Sequence, residues 1–583
     1  MNIIELVELN HQMSAPHQKE DMITRFQDFL YQGEKSQAYL ALFSIGVLHF
    51  ELNRPLDAEA YFRHCLFIKP DFFICVLNLG LLLEKQNKYQ EAIDVWSDAL
   101  QHPSIHDSQN KNDHLTIATN CGRLAESIRD YDKAEQALMT AYQLDPDPGP
   151  VLQHLIHLRQ KKCSWPVADN ITLSEDEIYL AASPMAILGL SDNPQIQLEV
   201  ARNFVKTKIE QFNRMVPYRF DYNHEKLRIG YLSSNLNMHA VSLLTVELFE
   251  CHNRDLFEIH AFCWSPEEVT AFRHRVVKSF DVFHPIAHLS DQEAAALIVS
   301  NEIDIIIDLQ GLTSGARVNL IARGAAPVQI SWLGFPGPSA IPHVDYIICD
   351  PFIMPDELKD FFIEKPLLLP RLFQVCDTQR IVSAIPDRSH FGFSEKDFIF
   401  CAFNNSHKYT PDIFALWMQI LRHVPQSILW LLEDNQWSRQ NLIQAARSHG
   451  ISPQRLHFAG RIQPEDYLAR FAVADLFLDT TPYNAGTTAN DALWAGLPLL
   501  TLSGKTYASR MAGSLLNSLG LNDFIAFTEA DYVQKSIHFS QNPDALKTVR
   551  QALKEAKQSG QLFNTKVFAA DYEHALLKLF DRV

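Results

Sequence analysis

Gly46 and Gly80 stand 34 residues apart, and so do Ala58 and Ala92. A chain that repeats itself at this period is built from stacked helix pairs, so the spacing constrains its first part more than any composition does. In a shared frame glycine falls at position eight, alanine at twenty, a large side chain at twenty-four and proline near thirty-two. Gly46, Ala58, Phe62 and Pro70 fill the first repeat, and Gly80, Ala92 and Trp96 the second, with Pro103 one place early. Gly122, Ala134, Leu138 and Pro146 fill the third, displaced by an eight-residue insertion in the polar stretch Ser104–Asp113. Small residues at eight and twenty let the two helices of a pair approach closely, and the proline ends the second.

Three matches in one frame make the tetratricopeptide pattern. Repeats are predicted at about 39–72, 73–106 and 115–148 inside a domain spanning 1–162, with helices Thr24–Gln32 and Val151–Lys162 capping the stack. Such a stack offers a concave surface to a peptide or protein partner. Position six of repeats two and three is Asn78 and Asn120. Their amides can hydrogen-bond an extended peptide backbone of any sequence, and they equally suit a solvated surface. The acidic triplets Asp130–Asp132 and Asp145–Asp147 fall on repeat boundaries and are not read as metal ligands. Residues 163–224, with the long helix-like run ARNFVKTKIEQFNRM, read as a helical linker.

From Leu227 short apolar runs alternate with helical sequence: LRIGYLSS, FEIHAFCW, DIIIDLQ, VQISWLG and DYIICD, with a helix over Asp291–Ser300 among them. After the loop-rich Lys365–Arg388 the alternation restarts with DFIFCAF, SILWLLE, RLHFAG, DLFLDT and PLLTLSG. This is the signature of doubly wound parallel sheets, so two Rossmann-like halves are expected, at 225–380 and 381–583. The default ligand site is the cleft at the carboxyl ends of their strands.

The polar residues at those strand ends are the candidates for chemistry. His239 lies in the loop after the first strand, where a side chain that titrates near neutrality can act as a general base. Gly334 and Gly337 belong to a glycine turn, WLGFPG, that permits close backbone approach to a ligand. Asn405 and Lys408 follow DFIFCAF, and Tyr467 and Arg470 lie on the helix after RLHFAG. Leu476–Leu478 reads as a buried strand, followed by a polar loop and a helix that opens at Thr487 and Thr488 and is stopped by Gly496 and Pro498. A strand, a tight loop and a helix N-terminus bind anions, and Asp491 sets a carboxylate one turn in, suited to ribose hydroxyls. Taken by itself the same stretch also suits an ordinary capped helix.

A net charge of −18 and the lack of a long basic run exclude a general nucleic-acid binder. Nine scattered cysteines form no CxxC pair or zinc-spaced cluster, so reduced thiols in a cytosol are expected. The N-terminus has neither a basic start nor a sustained apolar run, and no stretch approaches the length of a spanning helix. No signal peptide and no membrane partner are expected, and the expected location is cytoplasmic.

Taken together, the repeats, LRIGYLSSN…H, APVQISWLGFPG, FNNSHK, SILWLLEDN and DTTPYNAGTTANDALWAGLPLLTLSGKTYASR resemble the O-linked N-acetylglucosamine transferase and SPINDLY family, over most of the chain. The resemblance implies an α plus α/β protein: a tetratricopeptide α-solenoid followed by a GT-B glycosyltransferase of two Rossmann-like domains, acceptor side first and nucleotide-sugar side second. It implies inverting, metal-independent transfer of a sugar, foremost GlcNAc from UDP-GlcNAc, to Ser or Thr hydroxyls of a protein, with no cofactor beyond the donor. Lys408 then matches the lysine on the donor diphosphate, with Asn405 beside it. Thr487 and Thr488 match the threonines at the phosphates and Asp491 the ribose carboxylate. Tyr467 and Arg470 line the nucleotide pocket, Gly334 and Gly337 lie near the donor sugar, and His239 is the base or acceptor-site contact. Gly486 stands where many relatives have histidine, Leu312 where an aromatic residue or histidine is common, and Pro338 where threonine is. Another nucleotide sugar, such as GDP-fucose or a donor for flagellin, therefore stays open, as does an inactive repeat scaffold.

Overall fold

The computed structural model describes residues 2–10, 13, 15–32, 35–103, 110–145, 149–560 and 563–581. Pro146, Asp147 and residues 104–109 of the insertion lie outside them. The chain divides into two compact units, Met1–Arg159 and Gln160–Val583.

The first unit is helical: α1 (Ile3–Asn10), α2 (Pro16–Gln32), α3 (Ala38–Glu51), α4 (Pro55–Ile68), α5 (Phe73–Lys85), α6 (Tyr89–Leu100), α7 (Lys111–Ser127), α8 (Tyr131–Leu144) and α9 (Gly149–Lys162), the last running into the second unit. The pairs α3/α4, α5/α6 and α7/α8 are the three repeats. Their glycines explain the frame physically. A Cβ at Gly46 would stand 2.6 Å from the ring of Phe62, at Gly80 2.1 Å from that of Trp96 and at Gly122 2.7 Å from Leu138. Position eight is thus vacant because the large side chain at twenty-four fills it, while Ala58, Ala92 and Ala134 at twenty are fully buried. Such contacts leave no space for even one added methyl without repacking. The helix before the repeats begins at Pro16 rather than Thr24, and α7 begins at Lys111, a turn ahead of the predicted repeat. Asp130 is the N-cap of α8, accepting from the N–H of Lys133.

The second unit begins with a helical connector, α10 (Glu175–Ala181), α11 (Pro184–Leu190) and α12 (Pro194–Lys208). Its N-terminal part is bonded to the carboxyl-terminal half, where Lys161 O accepts from Ser406 Oγ at 2.7 Å and from Asn435 Nδ2 at 2.8 Å. Further on, Arg214 forks onto Asp345 of the other half, both contacts at 2.8 Å.

The first half holds β1 (Leu227–Ser233), α13 (Ala240–Cys251), β2 (Phe257–Cys263), α14 (Ala271–Lys278), β3 (Val282–Pro285), α15 (Asp291–Ser300), β4 (Ile305–Asp308), α16 (Val318–Ile321), β5 (Val328–Ser331), β6 (Tyr346–Cys349) and β7 (Lys365–Leu368). The strands form one parallel sheet in the order β3-β2-β1-β4-β5-β6-β7. Helix α15 starts where expected because Ser290 and Glu293 form a capping box. Strands β3 and β7 lie in stretches not anticipated as strands, and they are the two sheet edges.

The second half holds β8 (Phe398–Ala402), α17 (Pro411–His423), β9 (Ser427–Leu432), α18 (Gln436–Ser448), β10 (Leu456–Ala459), α19 (Pro464–Phe471), β11 (Leu476–Leu478), α20 (Thr487–Trp494), β12 (Leu499–Leu502), α21 (Met511–Ser518), β13 (Ile525–Ala526), α22 (Glu529–Gln541), α23 (Pro543–Gln558) and α24 (Thr565–Lys578). Its parallel sheet has the order β10-β9-β8-β11-β12-β13. Helix α24 departs from the expected 381–583 boundary in space. Phe568, Tyr572 and Leu576 are buried with Tyr231, Phe249 and Trp332 of the first half. His252 and Glu573 pair there at 2.9 Å. Among the described residues no helix is long and apolar enough to cross a membrane.

Candidate active site

In each sheet the strand order reverses beside its first strand, between β1 and β4 and between β8 and β11. Loops leaving the carboxyl ends of two strands that diverge in this way open a crevice. The loop carrying His239 leaves β1, the one carrying Lys408 leaves β8, and the one leading to Thr487 leaves β11. Helix α13 of the first half packs against α20 of the second, so the helix capped by His239 meets the helix that opens at Thr487.

In the second half the crevice is organised by Asp479, the fully buried residue that follows β11. Its Oδ1 accepts from the N–H groups of Thr480 and Ala485, both at 2.8 Å, and its Oδ2 from Thr501 Oγ1 at 2.7 Å. These bonds fold the 479–486 loop back on itself. Lys408 reaches under this loop, donates from Nζ to Asn484 O at 2.9 Å and sits 3.6 Å from the centre of the Tyr483 ring. Burial pushes its ammonium down to about 8 against the opposing charge of Asp479, and pushes the Asp479 carboxyl up to about 6. Among the described residues this carbonyl is the hydrogen-bond partner of an ammonium that has three donors.

Helix α20 starts at Thr487 with Gly486 as N-cap, and no side chain caps it. Its first-turn N–H groups are therefore left without a side-chain cap, with the helix dipole behind them, and Thr487 and Thr488 are its first two residues. Gln374 Nε2 touches Gly486 O at 3.5 Å. Asp491 is buried and carries an ion pair that sequence reading did not foresee, from Arg380 Nη2 to Oδ1 at 2.5 Å. The Tyr467 hydroxyl is engaged with both Thr488 and Asp491. Burial raises the pKa of Asp491, and the Arg380 charge opposes that rise. Arg470 is buried with its guanidinium 4.4 Å from the centre of the Phe403 ring and one bond, Nη1 to Gly460 O at 2.7 Å. Among the described residues its Nε and Nη2 have no hydrogen-bond partner, nor has either side-chain polar atom of Asn490, nor Oδ1 of Asn404 and Asn484. Buried donors and acceptors left unbonded cost roughly 1–3 kcal/mol each, so these atoms are suited to accept or donate further hydrogen bonds. Asn405, predicted beside the phosphates, is instead exposed, and its Oδ1 receives Arg461 Nη2 at 3.3 Å.

On the first-half side His239 is the N-cap of α13, and its Nδ1 accepts from Val241 N at 3.3 Å. Partial burial keeps its pKa low. A neutral ring that accepts at Nδ1 carries its proton on Nε2, so here His239 offers a donor, and taking up a proton requires the Val241 bond to break. Gln310 pins the surrounding loops, accepting from Ser234 N at 3.1 Å and donating to Ser314 O at 3.0 Å. Gly334 and Gly337 have packing reasons to lack side chains. A Cβ at Gly334 would lie 2.2 Å from Leu309 O, and one at Gly337 3.3 Å from Leu188. Leu312 is buried in the core. In the first unit Asn78 and Asn120 are partly exposed, and each gives its amide N–H to a carbonyl of its own helix, Ile74 O at 2.7 Å and Thr116 O at 3.0 Å. Among the described residues no three His, Cys, Asp or Glu side chains gather as a metal site.

Arg380, Asp479 and Gln374 are the residues of this region that sequence reasoning missed. Asp479 was visible only as a strand-ending aspartate. Arg380 and Gln374 lie in the loop-rich stretch, where no periodicity singles them out.

The profile described as Glycosyl transferase family 41 matches residues 203–389 and 383–572, and a tetratricopeptide repeat profile matches 116–148. The probable UDP-N-acetylglucosamine–peptide N-acetylglucosaminyltransferase SEC of Arabidopsis thaliana is 28% identical over 453 residues, 73% of this chain and 46% of that protein. The UDP-N-acetylglucosamine–peptide N-acetylglucosaminyltransferase of Caenorhabditis elegans is 25% identical over 473 residues, 62% of this chain and 41% of that one. The probable SPINDLY transferase of Solanum lycopersicum is 26% identical over 385 residues, 64% of this chain and 41% of that one. The chain spans about half the length of the curated relatives it matches. Among solved structures, a mutant O-GlcNAc transferase of Thermobaculum terrenum superposes with a TM-score of 0.68 at 23% identity, covering 94% of this chain and 98% of that one. The shared fold is a tetratricopeptide solenoid followed by a GT-B pair of Rossmann-like halves.

Proposed function

The chain belongs to glycosyl transferase family 41, and from that membership we propose that it transfers a sugar, foremost GlcNAc from UDP-GlcNAc, to Ser or Thr hydroxyls of a protein. The observation that carries this reading is the half-buried Lys408 ammonium bonded to the loop that leads into an uncapped helix N-terminus, whose first residues are Thr487 and Thr488. A diphosphate leaving group needs its new negative charge stabilised, and preorganised donors in a site removed from water do this without a metal. The acceptor oxygen attacks the anomeric carbon opposite the diphosphate. The carbon–oxygen bond to the β-phosphate breaks, its electron pair stays on the phosphate oxygen, and the configuration inverts. The acceptor proton passes to His239 once its ring is released from Val241, or to the phosphate itself. Asp491 and Tyr467 are suited to the ribose, and the unbonded Nε and Nη2 of Arg470 to carbonyl oxygens of the base. The repeats are suited to holding the protein acceptor, and the nine free thiols suit a cytoplasmic setting.

Calorimetric titration with UDP, GDP, UDP-GlcNAc and GDP-fucose, without added metal, tests this. The expected result is preferential UDP and UDP-GlcNAc binding that is lost in Lys408→Ala. Preference for GDP would move the donor to GDP-fucose. Absence of binding to all four would overturn the transferase reading in favour of an inactive scaffold.

A further inference from the structure

Residues 376–380 cross between the halves, and most of them are fastened to the first. Thr565 Oγ1 donates to Cys376 O at 2.6 Å. Arg275 of α14 forks onto Asp377 at 2.6 and 3.0 Å. Thr378 gives its N–H to Glu247 Oε2 at 2.5 Å and its hydroxyl to Glu247 Oε1 at 2.9 Å, and Gln379 Nε2 reaches Glu250 at 3.3 Å, both acids on α13. Arg380 turns the other way. Its guanidinium enters the second half and meets Asp491 on α20, with side chains 7% and 9% exposed.

A buried ion pair is a poor source of stability, since desolvating both charges offsets most of their attraction. This pair therefore calls for another reason, and Asp491 supplies one, because it stands with Tyr467 and Thr488 in the proposed donor pocket. The groups facing Asp491 are Arg380, from the inter-half linker formed by residues 376–380, and Tyr467 from α19, and around Arg380 stand Cys376, Asp377 and, from α23, Lys557. Among the described residues Arg380 is the cation whose charge acts on Asp491.

We propose that Arg380 is a positioning residue of the donor site, holding Asp491 ionised by one oxygen and leaving the other to the ribose diol of the nucleotide. The inference rests on the donor-site reading above. It also makes the linker part of nucleotide recognition, since any change in the angle between the halves moves Arg380 relative to Asp491.

The test is calorimetric titration of wild type and variants side by side with UDP-GlcNAc, whose diphosphate diester does not titrate near neutrality, at about pH 6 and about pH 7.5. Asp479 and Lys408 titrate at the two ends of this window in every variant, so the wild-type profile is the reference and the ratio of variant to wild type is what is read. Relative to wild type, Arg380→Met is expected to bind about tenfold more weakly at the higher pH and weaker still at the lower, as the unopposed burial of Asp491 lets it take up a proton. Arg380→Lys is expected to restore most of the affinity and the wild-type profile. Wild-type affinity in Arg380→Met, or a loss of equal size at both pH values, would overturn the proposal. Should Arg380→Met fail to fold, wild type titrated near pH 6.5 in buffers of different ionisation enthalpy decides the matter. No exchange, or uptake by Asp479 and Lys408 beside the arriving diphosphate, supports an Asp491 already ionised, and net proton release on binding overturns it. If wild type binds no nucleotide, the donor-site reading falls first; if it binds and the variants match it, only the role of Arg380 falls.

Discussion

Asp308 ends β4 and Asp479 follows β11, and each of these strands pairs with the first strand of its own half. Both carboxylates are buried, and each accepts two backbone N–H groups, from Gln310 and Gly311 in one case and from Thr480 and Ala485 in the other. Burial pushes both up to about 6. The likeness ends there. Among the described residues no cation acts on Asp308, and the loops around it are knitted together through Gln310. Asp479 faces the ammonium of Lys408, in a crevice whose neighbours Asn404, Asn484, Asn490 and Arg470 keep unbonded polar atoms. One topology thus carries a bonded-up loop lattice in the first half and an under-bonded, charged pocket in the second. The fold supplies the crevice twice, and on the proposed reading it is side-chain chemistry that suits the second to an anion.

The hardest blow to this contrast is Lys408→Ala, which removes the cation that distinguishes the two crevices. Sugar transfer should fall by about 10²- to 10³-fold, the scale of losing a preorganised charge-stabilising donor. The thermal midpoint should fall by a few degrees and the fold survive, because Asp479 loses its opposing charge but keeps the donors Thr480 N, Ala485 N and Thr501 Oγ1. Turnover like wild type in a radiolabelled-sugar assay would remove Lys408 from the diphosphate.

Asp479→Asn sharpens the contrast. The amide can keep the acceptor for the two N–H groups and give its NH₂ to Thr501, whose hydroxyl can turn to accept, so the fold should survive. Lys408 would lose the charge that opposes its burial and would shed its proton below the wild-type value of about 8. UDP-GlcNAc affinity should then decline as pH rises from near neutrality, whereas wild type declines only above about pH 8, a difference of about tenfold at intermediate pH. Superimposable affinity–pH curves would show that the two charges do not act on each other.

Asp308→Asn is the matched control with the smallest effect on binding. Both oxygens of Asp308 accept N–H groups, so an amide leaves a donor facing a donor, at a cost of about 1–3 kcal/mol in chemical denaturation and nothing in nucleotide affinity. The pH sign is fixed by the raised folded pKa. Between the unfolded value near 4 and the folded value of about 6 the native state holds more protons, so wild-type stability falls as pH rises through that window, and the variant should lose that share of the slope. Loss of nucleotide binding in this variant would place the donor in the wrong half.

Much of this architecture could be read before folding was considered. The glycines of the repeats announced helix pairs, and the helix expected at Thr487 begins there behind Gly486. The edges were less legible. VFHP and KPLL are partly exposed strands with proline, histidine or lysine in them, so they lack the apolar run that marks a buried strand. Asn405 matched the expected motif and yet is exposed, its side chain held by Arg461.

The sequence by itself determined the period of the repeats, the alternation of strand and helix, and which loops hold polar side chains, because those properties are written in spacings of a few residues. Only the tertiary structure decided that the loops after β1, β8 and β11 stand at the switch points, that α24 returns to the first half, and that Arg380 meets Asp491 across 111 positions of chain. The physical reason is range. A local pattern records backbone propensity and the side that is buried, whereas strand order and the partner of a buried charge are settled by contacts that form only when distant segments are packed together.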